Sequence, residues 1–285
     1  MTTAGLTPLV GRVPSPQRVR ARTVVAASIR RDWTIARSYR LPFALGLFQS
    51  LVSLAFVDFL GRLVGPHPGR EQLPGGYFAF AVLGTVLLAT FGVTLTSFAQ
   101  RLRAEQTSGT LEVLLTMPAP ARVAVLASGS YQLLASAVAA AGTVGLAVGL
   151  FGLRFHVTVQ SALAAVAGTG AALVVFAATG LALAAFVVVF KRGETLTSMA
   201  SSALMVLGGV YYPVSVLPAP LRHVASVVPF TWALDVVRAS LLAGRVPLGQ
   251  LAVLAVAGAL ALPGAMWLLG RAVDRARRTG TLGQY

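Results

Sequence analysis

Long stretches without a single charged residue alternate along this chain with shorter polar ones. A bilayer core about 30 Å thick is crossed by roughly 20 apolar residues in a helix, because no backbone polar group can stay unpaired in hydrocarbon. Six segments suit this role: 41–60, 77–98, 123–151, 161–190, 196–212 and 250–270. The third and fourth are long enough to tilt or to extend past the membrane. Ahead of them, Val25, Ile29, Trp33 and Ala36 recur at helical spacing, while Arg30, Arg31, Arg37 and Arg40 lie mostly on other faces. That pattern predicts an interfacial helix over 23–40, with its aromatic residues at headgroup level and its arginines meeting anionic membrane lipid.

Two further segments are not spans. In 101–117 a polar run gives way at Gly109 to a short apolar helix. Ser108 or Thr110 can cap its start, Glu112 sits near the positive end of its dipole, and Pro118 follows its end. The change of character predicts a protruding helical hairpin. Residues 213–249 are apolar, but Pro213, Pro218, Pro220, Pro229 and Pro247 divide them into pieces too short to cross. Two short helices, 219–228 and 230–243, are expected to dip into the membrane and return, with Asp235 and Arg238 placed to pair one turn apart.

Charge decides orientation. Of the 23 Lys and Arg residues, 17 lie before the first span, in 99–122, at Lys191 and Arg192, or after the last span, and 6 lie in the alternate loops. The positive-inside rule puts both termini in the cytoplasm and the 213–243 segment outside. Residues 1–40 hold eight Arg and no apolar core of a signal peptide, so the first span is expected to direct insertion. The chain divides into a disordered cytoplasmic tail (1–22), a transmembrane domain (23–270) and a basic cytoplasmic tail (271–285). The expected fold class is an all-α integral membrane protein of six transmembrane helices, with an N-terminal interfacial helix, a cytoplasmic hairpin and outer re-entrant helices.

Composition narrows the function. Hydrophobic residues make up 56% and charged residues 11% of 285, against about a quarter charged in a soluble domain. The net charge of +15 is spread over separate loops, mostly on one side, and forms no single patch for nucleic acid. Cysteine is absent, and His67, His156 and His223 show no metal-ligand spacing, so no metal is expected. The only charged residue within the spans is Asp58, four residues before Arg62, and a local ion pair accounts for it. A secondary carrier, ion-coupled or facilitated, stands as the alternative to a pump. Ion-coupled carriers place charged groups deep in the membrane, and none is found. Ser226, His223 and Asp235 lie close in sequence without fixing a triad geometry. Gly142, Gly145 and Gly149, with a GxxxG pair at 145 and 149, read as helix packing.

Four patches then carry a resemblance. Glu105, Gly109-Thr110-Leu111-Glu112, Leu114-Leu115 and Pro118 follow the pattern E-x-x-x-G-T-L-E-x-L-L-x-x-P. With 208–218, 228–238 and the tail ending at 280–283, they resemble the type-2 class of ATP-binding-cassette exporter permeases over nearly the whole chain from Arg31. The resemblance implies that 101–117 docks on a cytoplasmic ATPase through Glu105, Gly109, Thr110, Leu111, Glu112 and Leu115. It implies two six-span subunits, as a homodimer or with a second permease, in a bacterial plasma membrane. ATP and Mg would be bound by the partner, because the lone lysine, Lys191, lies in no Gly-Lys-Ser/Thr loop. No catalysis is expected in this chain. Cargo would be an amphipathic drug, a lipid or a glycan on a lipid carrier, passing Tyr211, Tyr212 and Phe230 near the outer end of its path. A non-transporting envelope protein would need a larger outer domain than these loops supply.

Overall fold

A computed structural model describes residues 40–63, 73, 75–107, 121–190 and 194–278, together with residues 26, 29, 30, 33 and 34. Eight α-helices follow in order: α1 (Arg40–Leu63), α2 (Gly76–Thr107), α3 (Ala121–Phe151), α4 (Val159–Phe190), α5 (Glu194–Leu207), α6 (Ala219–Val227), α7 (Pro229–Leu241) and α8 (Leu248–Arg278). A single 3-10 turn, Val214–Val216, precedes α6. Among the described residues there is no strand, and the protein is an all-α membrane protein. Of the interfacial helix expected over 23–40, the five residues described before Arg40 are helical and Trp33 is exposed; the rest lies outside the described residues.

Among the described residues, five helices are long and apolar enough to cross a membrane, at Ala44–Leu63, Gly76–Phe98, Tyr131–Phe151, Val159–Val187 and Leu248–Arg275. The expected fifth span, 196–212, is shorter than the pattern suggested. Its helix stops at Leu207, giving 14 residues or about 21 Å. Contacts nevertheless show which way α5 runs. It leaves α4 after three residues, beside the end where α2 extends past Phe98. It finishes where the carbonyl of Val210 touches Gly84, near the start of α2. The chain therefore makes six alternating passages, reversing direction five times through α1, α2, α3, α4, α5 and α8.

Between α5 and α8, α6 and α7 meet at 82°. Both α5 and α8 approach them from the same end of the bundle: His156, in the α3–α4 connection, donates its backbone N–H to Leu241 at 3.2 Å, while Leu269 and Val273 of α8 pack with Phe98 at the other end. The bent pair is thus a re-entrant hairpin and not a broken span. Its helices match the expected 219–228 and 230–243 within two residues, since Pro218 and Pro229 each fix a start. We call its side the hairpin end and the opposite side the arm end. Arg40 and Arg278 both lie at the arm end, and α8 stays helical through most of what the sequence suggested was a tail.

The helix with the most extensive packing is α4, although Leu163 and Val166 leave part of its apolar surface exposed. It packs principally against α8, α2 and α7. Glycines set these approaches. A Cβ at Gly180 would lie 2.7 Å from the Thr94 carbonyl of α2, one at Gly168 would lie 2.5 Å from Val236 Cγ1 of α7, and one at Gly258 of α8 would lie 3.1 Å from Val174 Cγ1. Lipid supplies no hydrophobic drive between helices, so close backbone approach and dispersion hold them together. The GxxxG pair of α3 differs: Gly142, Gly145 and Gly149 have nothing within 4 Å of a Cβ position, so none of the described residues packs closely on them.

Hydroxyls inside the spans bond mostly to their own helix. Thr85, Thr90, Thr94, Thr96 and Ser97 each donate to a carbonyl three or four residues earlier in α2, which satisfies them without a partner helix. Ser50 and Thr143 join α1 to α3 at 3.0 Å. Asp58 and Arg62 form the expected pair at 2.7 Å, with the Arg62 side chain 75% exposed. An exposed i,i+4 pair is worth about 0.3–0.5 kcal/mol. Accordingly, Asp58→Ala should leave the melting temperature of the detergent-solubilised protein within about 2 °C of the parent; a drop several times larger would give the pair a role beyond local neutralisation.

Candidate coupling and transport sites

At the arm end, α2 continues nine residues beyond its apolar window to Thr107, about 14 Å of rigid helix. Glu105 is on this extension. Gly109, Thr110, Leu111, Glu112 and Leu115 lie outside the described residues, as does the expected second half of the hairpin.

The hairpin end is built around α7. Three rings form its base: Phe91 of α2 and Phe176 of α4 meet edge to face at 4.7 Å, and Phe230 of α7 completes the cluster at 5.8 and 6.0 Å. Phe230 is 1% exposed. Expected near the outer end of the transport path, its ring packs against Phe91 and Phe176, since Pro229 starts α7 with its next side chain aimed between α2 and α4. Tyr211 and Tyr212 are partly exposed. The Tyr212 hydroxyl donates to the Val206 carbonyl and so covers one of the unpaired carbonyls at the end of α5. A similar bond fixes the bend between α6 and α7, where Trp232 Nε1 donates to the Ser226 carbonyl at 2.8 Å.

No triad forms among Ser226, His223 and Asp235. Ser226 Oγ donates to the His223 carbonyl at 2.8 Å, and His223 Nδ1 faces the Ala219 carbonyl at 2.7 Å. Each side chain finishes its own helix turn instead of meeting the other.

Arg238 departs furthest from expectation. It does not bond Asp235. Burial to 9% exposure takes its guanidinium inward, where Nε and Nη2 donate to the Phe80 carbonyl at 3.2 and 2.7 Å. Nη1 donates to the Gly209 carbonyl at 2.8 Å and Nη2 to that of Val210 at 2.9 Å. The Phe80 ring covers it, 3.3 Å from Cζ to the centroid, a cation–π contact strengthened by the dry surroundings. A cation in an otherwise apolar re-entrant helix was visible in the sequence; its backbone partners, 28 to 158 residues away, were not. Gly84 makes room for the group, since a Cβ there would lie 2.8 Å from Arg238 Nη2 and would collide with the Val210 carbonyl. Gly209, at φ +69°, adopts the left-handed turn that brings both carbonyls round.

Six alternating passages, a re-entrant hairpin at one end and a helical arm at the other define a multi-pass membrane protein of the transporter-permease kind. The profile of the ABC-2 type transporter family matches residues 23–242, and the chain belongs to that family. Among curated proteins nothing matches it.

Proposed function

We propose that this permease is the membrane subunit of an ATP-driven exporter, with ATP and Mg bound by a separate ATPase. The observation that supports the reading most directly is the α2 arm, a helix running past the membrane window toward the Gly109–Glu112 patch. The sequence segments on this side of the spans carry 17 of the 23 basic residues, and the positive-inside rule assigns that side to the cytoplasm of a bacterial cell. An ATPase would meet the arm there through Glu105, Gly109, Thr110, Leu111, Glu112 and Leu115. Two such permeases, identical or paired, would frame the path. α1 and α3 leave most of their surfaces uncovered within one chain, available to lipid or to a second copy.

ATP-driven closure of the ATPases would push the arm and rock the permeases, biasing a two-state bundle toward release at the hairpin end. Cargo of amphipathic character, whether drug, lipid or lipid-linked glycan, suits an apolar bundle in which most span hydroxyls bond within their own helix. Tyr211 and Tyr212 are the partly exposed aromatics at the exit, with Phe230 supporting them from the core.

Isolation of the protein from its native membrane in mild detergent, followed by mass spectrometry, tests the partner. An ATPase should co-elute at one copy per permease. Gly109→Val combined with Glu112→Lys should lower that yield about tenfold or more, the effect of removing an interface hot spot, while the permease remains monodisperse. Equal recovery of ATPase with the substituted arm would refute the docking site.

A further inference from the structure

We propose that Arg238 is a positioning residue for transport: a tethered cation in a cage of three main-chain carbonyls, which fastens the hairpin end of α5 to α2 and α7 so that they move as one unit. This rests on the exporter reading.

Three features of the geometry carry it. First, the guanidinium satisfies carbonyls from two elements at once, Phe80 in α2 and Gly209 and Val210 after α5. The last two continue the negative end of the α5 dipole, where a cation is favoured. Second, the site is shaped for this group. The missing Cβ of Gly84 and the turn at Gly209 admit a planar fork, and Phe80 covers one face. A lysine, a point charge with no fork, cannot reach all three acceptors in their plane. Third, beyond Ala200 and Leu204, which join the aromatic core cluster, the described part of α5 is lightly packed. Its principal neighbours are α2 and α6, and Met199, Met205 and Val206 are exposed along it. A helix held so lightly, running from the arm end to the hairpin end, transmits displacement only as well as its far end is fastened. Arg238 is that fastening.

Hydrogen–deuterium exchange on the permease in nanodiscs tests the cage without transport. In Arg238→Ala, exchange of the 208–214 amides should rise about tenfold while α3 stays unchanged, and millimolar ethylguanidinium should restore protection. If Arg238→Ala is not monodisperse, Arg238→Lys carries the test, with loosened 208–214 amides expected because lysine spans too few carbonyls. Unchanged protection in a monodisperse variant, or loosening that ethylguanidinium leaves in place in Arg238→Ala, overturns the cage.

The ATPase-bound complex, trapped with ATP and vanadate, tests transmission. The parent should change exchange at both 194–200 and 205–214. Arg238→Lys should keep the first change and the rate of ATP hydrolysis but lose the second. Retention of both changes overturns the positioning role, since a merely structural arginine would leave them. A parent complex with no ATP-dependent change at either end overturns transmission together with the exporter reading, while ethylguanidinium rescue would still establish the cage.

Discussion

Gly84→Val should yield a permease that fails to hold its hairpin end, with little monodisperse protein recovered from detergent. A side chain at this position meets backbone, the Val210 carbonyl, and the Arg238 guanidinium at 2.8 Å. Neither neighbour yields cheaply. The carbonyl belongs to the turn that ends α5, and the guanidinium is held by four hydrogen bonds. Overpacking a tight interior costs about 1–3 kcal/mol. Gly84→Ala should reach that range, and valine should exceed it because a second branch point enters the same gap. Gly92, one helix segment further along α2, has nothing within 4 Å of its Cβ position. Gly92→Ala is therefore the control, expected to melt at or slightly above the parent temperature as alanine improves helix propensity. Thermal unfolding in detergent of the three variants decides the matter. Equal melting of Gly84→Ala and Gly92→Ala would show that α2 and the 208–212 turn are not in contact.

Phe176→Ala carries the second large effect. Phe176 is fully buried and forms two of the three ring contacts in the cluster, at 4.7 and 6.0 Å. Each aromatic pair contributes about 0.5–1.5 kcal/mol, and the void left behind adds the loss of dispersion contacts. Burial from lipid brings no hydrophobic gain between helices, so the expected loss is about 2–4 kcal/mol, at or below the span found for Phe→Ala in water-soluble cores. Phe59, 68% exposed on α1, should lose almost nothing on the same change. Denaturation in mixed micelles compares the two. Phe230→Ala belongs with Phe176→Ala in this comparison: a structural ring lowers stability, whereas a ring that only met cargo would leave the unfolding midpoint in place.

Much of the architecture was legible because it is governed by local rules. A charge-free stretch of the right length must cross as a helix, so α1, α2, α3, α4 and α8 lie where the apolar pattern placed them. Pro218 and Pro229 started α6 and α7, and their pieces were too short to span. Asp58 and Arg62, one turn apart, paired as spacing requires. The length of α5 was misjudged because 208–212 is apolar too, and apolarity does not reveal that Gly208 and Gly209 end the helix.

The chain's own composition and pattern thus determined that it is a multi-pass helical protein, how many times it passes, and which segment is re-entrant. Tertiary structure alone decided the partners. Phe230 joined Phe91 and Phe176 in the core, Arg238 left Asp235 for carbonyls of Phe80, Gly209 and Val210, and close packing among the described residues fell to Gly84, Gly168, Gly180 and Gly258 instead of the GxxxG pair. The physical reason is common to all three. Hydropathy acts residue by residue and is written in the sequence, whereas a buried ring, a caged cation or a bare Cα acquires its role from groups that are distant in the chain and meet only when the helices pack.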